Sequence, residues 1–258
     1  MQPAKLYQRP LADLERQLAE TIATGCARHP GPIALFWRAD DIGYPSEQFG
    51  ALIKTFQRHE MPLCLATVPT WLTGQRLGQL RRLTGTDDSL WCWHQHGRSH
   101  HNYEQVGKKQ EFGPARSTSL IHHDIQHGKK RLEDLLADAF QAYFTPPWNR
   151  CSQDTLTLLR QEGFKGISRY RGAQPASDAN LPDIFMNVDL HTSKEESQER
   201  AWQHLRRELI DGLASGHCGI MLHHQRMNHH ALLLLDCLLR LLAAAPQITP
   251  QLFSTRIP

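Results

Sequence analysis

The chain has 258 residues, of which 40% are hydrophobic and 21% are charged, and its formal net charge is +3. These values lie near the averages for globular proteins, so they exclude a mainly disordered chain. The basic residues are scattered among acidic ones, which argues against a nucleic acid partner.

Seven short apolar runs rich in β-branched and aromatic residues predict strands. They lie at 33–37, 63–68, 89–94, 142–145, 166–170, 184–190 and 218–223. Segments with helical periodicity alternate with these strands, after a leading helix over 11–28. The alternating helices are predicted at 46–59, 74–83, 118–139, 152–162, 195–214 and 228–245.

This alternation is typical of a parallel sheet wrapped by helices, either an open doubly wound sheet or an incomplete (β/α) barrel. We interpret residues 1–258 as one domain, in which 1–30 form a leading helical segment, because no stretch resembles a linker. Both folds place function at the carboxyl ends of the strands. Polar residues follow five predicted strands there: Asp40 with Asp41, His94 with His96 and His100, the turn at 146–149, Asp189, and His223 with His224.

The first strand leads directly into RADDIG at 38–43. Adjacent Asp side chains point in different directions, so one can bind a metal ion while its neighbour takes a proton from water. The alternative is an Asp turn or a helix cap before the helix at 46, where Ser46 can also serve.

The third strand ends in WHQHGRSHHN at 93–102, where His96 and His100 are four residues apart. In a helical turn this spacing places both imidazoles on one face, within reach of a single metal ion. Two imidazoles and one carboxylate leave positions for water and substrate, as a catalytic metal requires. His94 and His101 compete for the same role.

These motifs resemble those of the polysaccharide deacetylases, also called the NodB-like or carbohydrate esterase family 4 (CE4) proteins. RADDIG resembles the motif TFDDG, and HGRSH at 96–100 resembles the motif with two histidines four apart. TPPWN at 145–149 resembles RPPYG, and IMLHH at 220–224 resembles the final strand ending in Leu-x-His. The resemblance spans about residues 33–224 and implies a single-domain irregular (β/α) barrel of about seven parallel strands.

The resemblance also implies roles for individual residues. Asp41, His96 and His100 would bind one divalent metal ion. The catalytic residues would be Asp40 as base, His223 as general acid, the backbone N–H of Trp148 as oxyanion donor and Asp189 as the partner of the histidine. His224 is the alternative to His223, since a register slip of one residue would exchange them.

One departure from the family pattern concerns an arginine that orients the catalytic Asp. Thr145 stands at that position, so Arg150 or Arg169 would have to replace it, or the contact would be missing. Zn²⁺ is the expected ion, with Co²⁺, Ni²⁺ and Fe²⁺ as alternatives. The loop at 107–117 is polar and is interpreted either as a solvated loop or as a contact for an anionic or sugar substrate.

The expected function is metal-dependent removal of an acyl group, with acetyl as first choice, from an N-acylated sugar or related small amide. A C–N hydrolase of a non-carbohydrate metabolite and a non-catalytic sugar-binding relative are the alternatives. The N-terminus lacks the apolar core of a secretory signal and no segment is apolar enough to span a bilayer, so a cytoplasmic protein without a membrane partner is expected. Six cysteines spread singly, without a CxxC pair, argue against disulfides and a structural zinc site.

Overall fold

The structure is a computed structural model and describes residues 3–255. Its single sheet contains the strands β1 (Ile33–Ile42), β2 (Leu63–Thr67), β3 (Trp91–His96), β4 (Phe140–Thr145), β5 (Gly166–Ile167), β6 (Val188–Asp189), β7 (His217–Leu222) and β8 (Ile248–Gln251). Seven strands lie in the order β5-β4-β3-β2-β1-β7-β6, and β8 pairs with β1. All pairs are parallel. This α/β half-barrel confirms the predicted fold class.

The helices are α1 (Leu14–Cys26), α2 (Glu47–Arg58), α3 (Gly74–Thr84), α4 (Thr118–Leu136), α5 (Gln153–Gln161), α6 (Gln198–Ala214) and α7 (His229–Ala243). A side-chain oxygen caps each helix after α1 by accepting the backbone N–H three residues further on. The capping residues are Ser46, Thr73, Ser117, Ser152, Ser197 and Asn228. The local chemistry of the sequence therefore sets where each of these six helices begins.

Four strands differ most from the prediction, and one of them, the strand predicted at 166–170, shortens to Gly166–Ile167. β1 continues five residues beyond the predicted end at 37, to Ile42, so the RADDIG motif belongs mostly to the strand. The predicted strand at 184–190 contracts to Val188–Asp189, because the Asn187 amide occupies the Gly219 N–H and the His217 carbonyl of β7. β8 was missed because its four residues include Pro250, which weakens any strand pattern.

The two faces of the sheet have different surroundings. Leu35, Trp37 and Ala39 of β1 face the helices and join the largest apolar cluster. Phe36 faces the inside of the half-barrel. There it belongs to a cluster that we call the floor: Phe36, Cys64, Cys92, Tyr143, Ile184, Met186, Met221, Leu252 and Phe253. Arg38 and Asp40 follow Phe36 at intervals of two, so they continue the inner face toward the carboxyl end of the strand.

Phe253 reaches the floor because β8 pairs with the amino half of β1. Its ring centroid lies 5.1 Å from that of His94 and 5.6 Å from that of Tyr143. All six cysteines are free, and five are buried. No helix among residues 3–255 combines the length and apolarity needed to cross a bilayer. Residues 1, 2 and 256–258 of the predicted domain lie outside the described residues.

Candidate metal centre

The end of β1 departs from regular strand geometry at the two aspartates. Its register against β2 shifts between Ala39 and Ile42, and Asp41 has φ 63°. In a regular strand Asp41 would face the helices with Trp37 and Ala39, but a bulge of this kind re-aims a side chain. The Asp41 carboxylate thus lies beside His96 and His100. The Gln225 amide donates to the Asp41 carbonyl at 2.7 Å and holds the bulge.

Asp41, His96 and His100 form the group of potential metal ligands that the structure brings together among residues 3–255. Asp41 Oδ1 lies 3.3 Å from His96 Nε2 and 3.2 Å from His100 Nε2. The Thr145 carbonyl, 2.9 Å from His96 Nδ1, can only accept a hydrogen bond. The proton of a neutral His96 therefore sits on Nδ1, and Nε2 directs its lone pair at the shared centre.

The donor atoms fit a divalent ion. Asp41 Oδ1 is buried and has no hydrogen-bond partner among residues 3–255, which is rare for a carboxylate oxygen inside a protein. Ligands about 2.0–2.1 Å from a tetrahedral Zn²⁺ lie roughly 3.3 Å from each other, and Asp41 Oδ1 lies at this spacing from both imidazole nitrogens. A cation between them would give the orphaned oxygen its partner.

The competing histidines lie elsewhere. His94 Nε2 is 2.9 Å from Thr145 Oγ1 and its ring packs on the floor. His101 is exposed and its ring contacts Tyr103. The prediction of a helical turn between His96 and His100 is wrong. The segment is an irregular loop, in which Gly97 has φ 58° and His100 has φ 57°. The loop still delivers both imidazoles to Asp41.

The electrostatics of the triad suit an ion. Burial raises the pKa of Asp41, but the two imidazoles more than offset this and hold it below its usual range. Burial and then the nearby His96 lower the pKa of His100 to about 4, so its imidazole is neutral at pH 7. Burial lowers the pKa of His96, yet its contact with Asp41 produces a net rise. Metal binding therefore competes with protonation of His96.

Asp40 is held by a buried arginine that the sequence analysis did not identify. Arg38 Nε donates to Asp40 Oδ1 at 2.7 Å and a terminal nitrogen donates to Oδ2 at 2.9 Å, a bidentate pair with Arg38 fully buried. Arg38 also donates to Ser168 Oγ at 2.8 Å and to Asn149 Oδ1 at 2.7 Å. Burial raises the pKa of Asp40, but the Arg38 charge leads the interactions that lower it overall.

Neither arginine proposed as the replacement is near Asp40. Arg150 donates to the Lys109 carbonyl, and Arg169 pairs with Asp183. Thr145 contacts His94 instead. The signal for Arg38 was present in the sequence, because a residue two positions before Asp40 on one strand shares its face.

The final histidine pair is divided between the site and the core. His223 Nε2 lies 4.0 Å from Asp40 Oδ2, and its side chain is partly exposed. His224 packs against Phe49 and is buried, and burial lowers its pKa to about 4. His223 is thus the imidazole that faces the carboxylates.

Asp189 does not make its expected contact with His223. Its carboxylate accepts the backbone N–H groups of His191 and Thr192 and the Thr192 hydroxyl, so it caps its own turn. His191 contacts His223 instead, because its Nδ1 atom accepts the His223 backbone N–H at 3.0 Å. The His223 Nδ1 atom is buried without a partner among the described residues.

Trp148 lies in a tight turn at Pro147–Asn149, with φ 57°, and its ring centroid is 4.5 Å from that of His100. The Trp71 ring centroid also lies 5.7 Å from that of His100, and the Tyr44 ring centroid lies 5.5 Å from that of Trp71. Tyr44 is 45% exposed, so this row of rings borders the metal centre at the surface.

The predicted polar loop at 107–117 also differs from its solvated interpretation. Glu111 and Phe112 within it are fully buried. The Glu111 carboxylate accepts hydrogen bonds from the turn between His96 and His100. No sequence pattern indicates this contact, since it depends on the path of an irregular loop.

No protein-family model matches the sequence, and no curated protein matches it closely enough to count as a relative. Solved structures do match. A protein described as a polysaccharide deacetylase from Mycobacterium smegmatis aligns with TM-score 0.63 at 12% identity, over 88% of this chain and 92% of its own. A family 4 carbohydrate esterase from Streptomyces lividans, in complex with acetate, aligns with TM-score 0.51 at 14% identity, over 88% and 95%.

A third similar structure is described as a CE4 family pseudoenzyme from Bacillus anthracis, with TM-score 0.52 at 11% identity, over 85% of this chain and 64% of that one. These similarities show that the chain has the same fold as these polysaccharide deacetylases and CE4 proteins. Enzymes and a pseudoenzyme share this fold, so function must be argued from the site.

Proposed function

We propose that this protein is a divalent-metal-dependent hydrolase that removes an acetyl or related acyl group from an N-acylated sugar or a related small amide. The observation that carries the proposal is the orphaned Asp41 Oδ1 atom facing two imidazole nitrogens at 3.2 and 3.3 Å. A second carboxylate, Asp40, lies next to it in the chain and is paired with a buried cation. A ligand set and a separate base are what metal-assisted hydrolysis requires.

Each residue has a distinct task in this proposal. When bound, a divalent ion supplies a Lewis acid that makes water more acidic and polarises an acyl carbonyl. Asp40 accepts the proton of the attacking water, and Arg38 keeps its carboxylate ionised and fixed in direction. The Trp148 backbone N–H donates to the developing oxyanion. His223, 4.0 Å from Asp40, gives a proton to the leaving amine.

The surroundings support a sugar or another ring as the substrate. Trp71 and Trp148 contact the His100 ring and Tyr44 contacts Trp71, and aromatic side chains offer flat apolar surface that binds ring compounds. The same rings would accept a cyclic non-carbohydrate amide, which is the alternative substrate class. A sugar-binding role without catalysis is less well supported, because Asp40 and the three potential ligands are all present.

The proposal is tested by elemental analysis of tag-free protein together with measurement of acetate release. The wild type is compared with Asp41→Ala, His96→Ala and His101→Ala, and acetylated sugars and small acetylated amides are the substrates. His101→Ala is the matched control, since it removes an exposed imidazole next to a predicted ligand.

We expect about one ion per chain in the wild type and in His101→Ala, with little ion and no hydrolysis in the other two variants. Equal ion content in all four proteins would place the metal elsewhere. Metal binding without any acyl release would favour the sugar-binding role. Release from the small amides alone would favour the non-carbohydrate substrate class.

A further inference from the structure

Glu111 is a buried carboxylate that none of the roles above uses. It lies in the segment between β3 and α4 and is fully buried. Burying a charged side chain is unfavourable unless hydrogen bonds compensate for the lost water. The partners of Glu111 therefore indicate what the residue does.

Those partners are the backbone of the turn that carries His100. Glu111 Oε1 accepts the Ser99 N–H at 2.7 Å and the Ser99 hydroxyl at 2.9 Å, and Oε2 accepts the His100 N–H at 3.2 Å. The Arg98 N–H lies 3.3 Å from both oxygens. Three successive N–H groups thus converge on one carboxylate, an arrangement that binds anions well.

The turn needs such support because its backbone is unusual at both ends. Gly97 has φ 58° and His100 has φ 57°, and the left-handed region is unfavourable for a residue with a side chain. A Cβ atom on Gly97 would collide with Glu111 Oε2 and lie 2.6 Å from Pro147 Cγ. The turn is therefore packed directly on the carboxylate and on the Pro147 turn.

Glu111 is itself held from the opposite side. The carbonyl of the next residue, Phe112, accepts the Ser152 N–H at 2.8 Å and the Thr155 hydroxyl at 2.9 Å, at the start of α5. Arg116 donates to the Glu111 carbonyl at 3.3 Å. The carboxylate is thus fixed to the scaffold, so it can fix the turn.

We propose that Glu111 is a positioning residue that presets His100 for the metal and thereby sets the affinity of the site for a divalent ion. This inference rests on the proposed function, in which His100 is a ligand. The carboxylate acts through the His100 backbone and leaves the three ligand atoms free for the ion. Removing a group that orients a metal ligand typically changes affinity about 10- to 100-fold.

The test measures the affinity for Co²⁺ in Glu111→Gln and in the matched control Glu104→Gln. Glu104 lies in the same loop, and its carboxylate accepts the Ala115 N–H without reaching the metal turn. Affinity is measured by titration in competition with a chelator, the visible spectrum of Co²⁺ reports the coordination geometry, and thermal unfolding of the metal-free proteins reports stability.

We expect Glu111→Gln to bind Co²⁺ about 10- to 100-fold more weakly with an altered spectrum, because the amide nitrogen repels one N–H group, while Glu104→Gln matches the wild type. Ser99→Ala removes a single hydrogen bond to Glu111 and is expected to weaken Co²⁺ binding about threefold. This variant replaces Glu111→Gln in the test if Glu111→Gln does not fold. Wild-type affinity in a Glu111→Gln protein of lower thermal stability would overturn the inference, since that is the result of a merely structural role. If the wild type binds no Co²⁺, the proposed function itself fails.

Discussion

The turns at the carboxyl ends of the strands and the floor inside the half-barrel differ in backbone conformation and in the polarity of their buried residues. At the carboxyl ends, Asp41, His100, Trp148 and Asn149 account for four of the seven non-glycine residues with positive φ in the described chain. Asp40, Asp41 and His96 there are buried and ionisable. On the floor the buried residues are apolar or thiols.

The difference indicates which region stabilises the folded state and which region destabilises it. Apolar burial on the floor and beneath the helices stabilises the fold, whereas strained backbone and buried charge at the strand ends oppose it. Such features persist only when the surrounding structure fixes them. Arg38, Gln225 and Glu111 have this role, because each holds a predicted site residue in place. Substitutions at the strand ends should therefore mainly change activity, and substitutions on the floor should mainly change the free energy of unfolding.

The largest effect is expected for Asp40→Asn. The amide keeps the shape of the side chain but cannot accept a proton from water, so kcat should fall about 10³-fold, or about 4 kcal/mol, with the metal content unchanged. Steady-state kinetics and elemental analysis measure this. Asp189→Asn is the control, since Asp189 caps its own turn and should retain activity within severalfold. Unchanged turnover in Asp40→Asn would reject Asp40 as the base.

Phe253→Ala tests the opposite location. Phe253 is fully buried, and truncation leaves a cavity beneath His94 and Tyr143, so the free energy of unfolding should fall by about 3 kcal/mol. Urea denaturation measures the loss, and the exposed Leu233→Ala serves as control with little change. Co²⁺ affinity should match that of the wild type. A large loss of affinity would mean that the floor helps to shape the metal centre.

Arg38→Lys tests the boundary between the two regions, because Arg38 lies on β1 between Phe36 of the floor and Asp40. Lysine keeps the charge but loses the bidentate contact, so kcat/KM should fall about thirtyfold, or about 2 kcal/mol. A base works when ionised, above its pKa. Burial raises the pKa of Asp40 and Arg38 opposes this. A weaker contact raises the pKa, and the acidic limb of the pH profile should move to higher pH.

The control for this prediction is a double-variant comparison. Adding Arg38→Lys to Asp40→Asn should cause little further loss of kcat/KM, because the arginine acts through the carboxylate. Independent, additive losses would show that Arg38 contributes by another route.

Much of this architecture could be predicted from sequence because it follows from periodicity. The alternation of strands and helices predicted a parallel sheet wrapped by helices and the approximate helix positions, and the family resemblance added the irregular barrel. Parallel strands bring their carboxyl ends together, so the strand pattern alone groups Asp41 with His96 and His100. Residue type and strand position suffice for that step.

The support around these residues could not be predicted in the same way. The role of Glu111 depends on the path of residues 97–110, which have no periodic pattern, and the role of Gln225 depends on a bulge that alternation does not anticipate. Asp189 was misplaced by analogy, since its own turn offered closer N–H groups. Arg38 is the exception, because its spacing from Asp40 already placed the two residues on one face.

The smallest effect is expected for Ser46→Ala, five residues after Asp41. Ser46 Oγ accepts the Phe49 N–H at 3.0 Å and caps α2, so its loss should lower the free energy of unfolding by about 1 kcal/mol. Ser197→Ala, which removes the cap of α6, is the matched control with a similar loss. Neither variant should change Co²⁺ affinity, because the caps stabilise helices and touch no ligand-bearing turn. A fall in affinity for Ser46→Ala alone would mean that the metal centre depends on the α2 terminus as well as on its own turns.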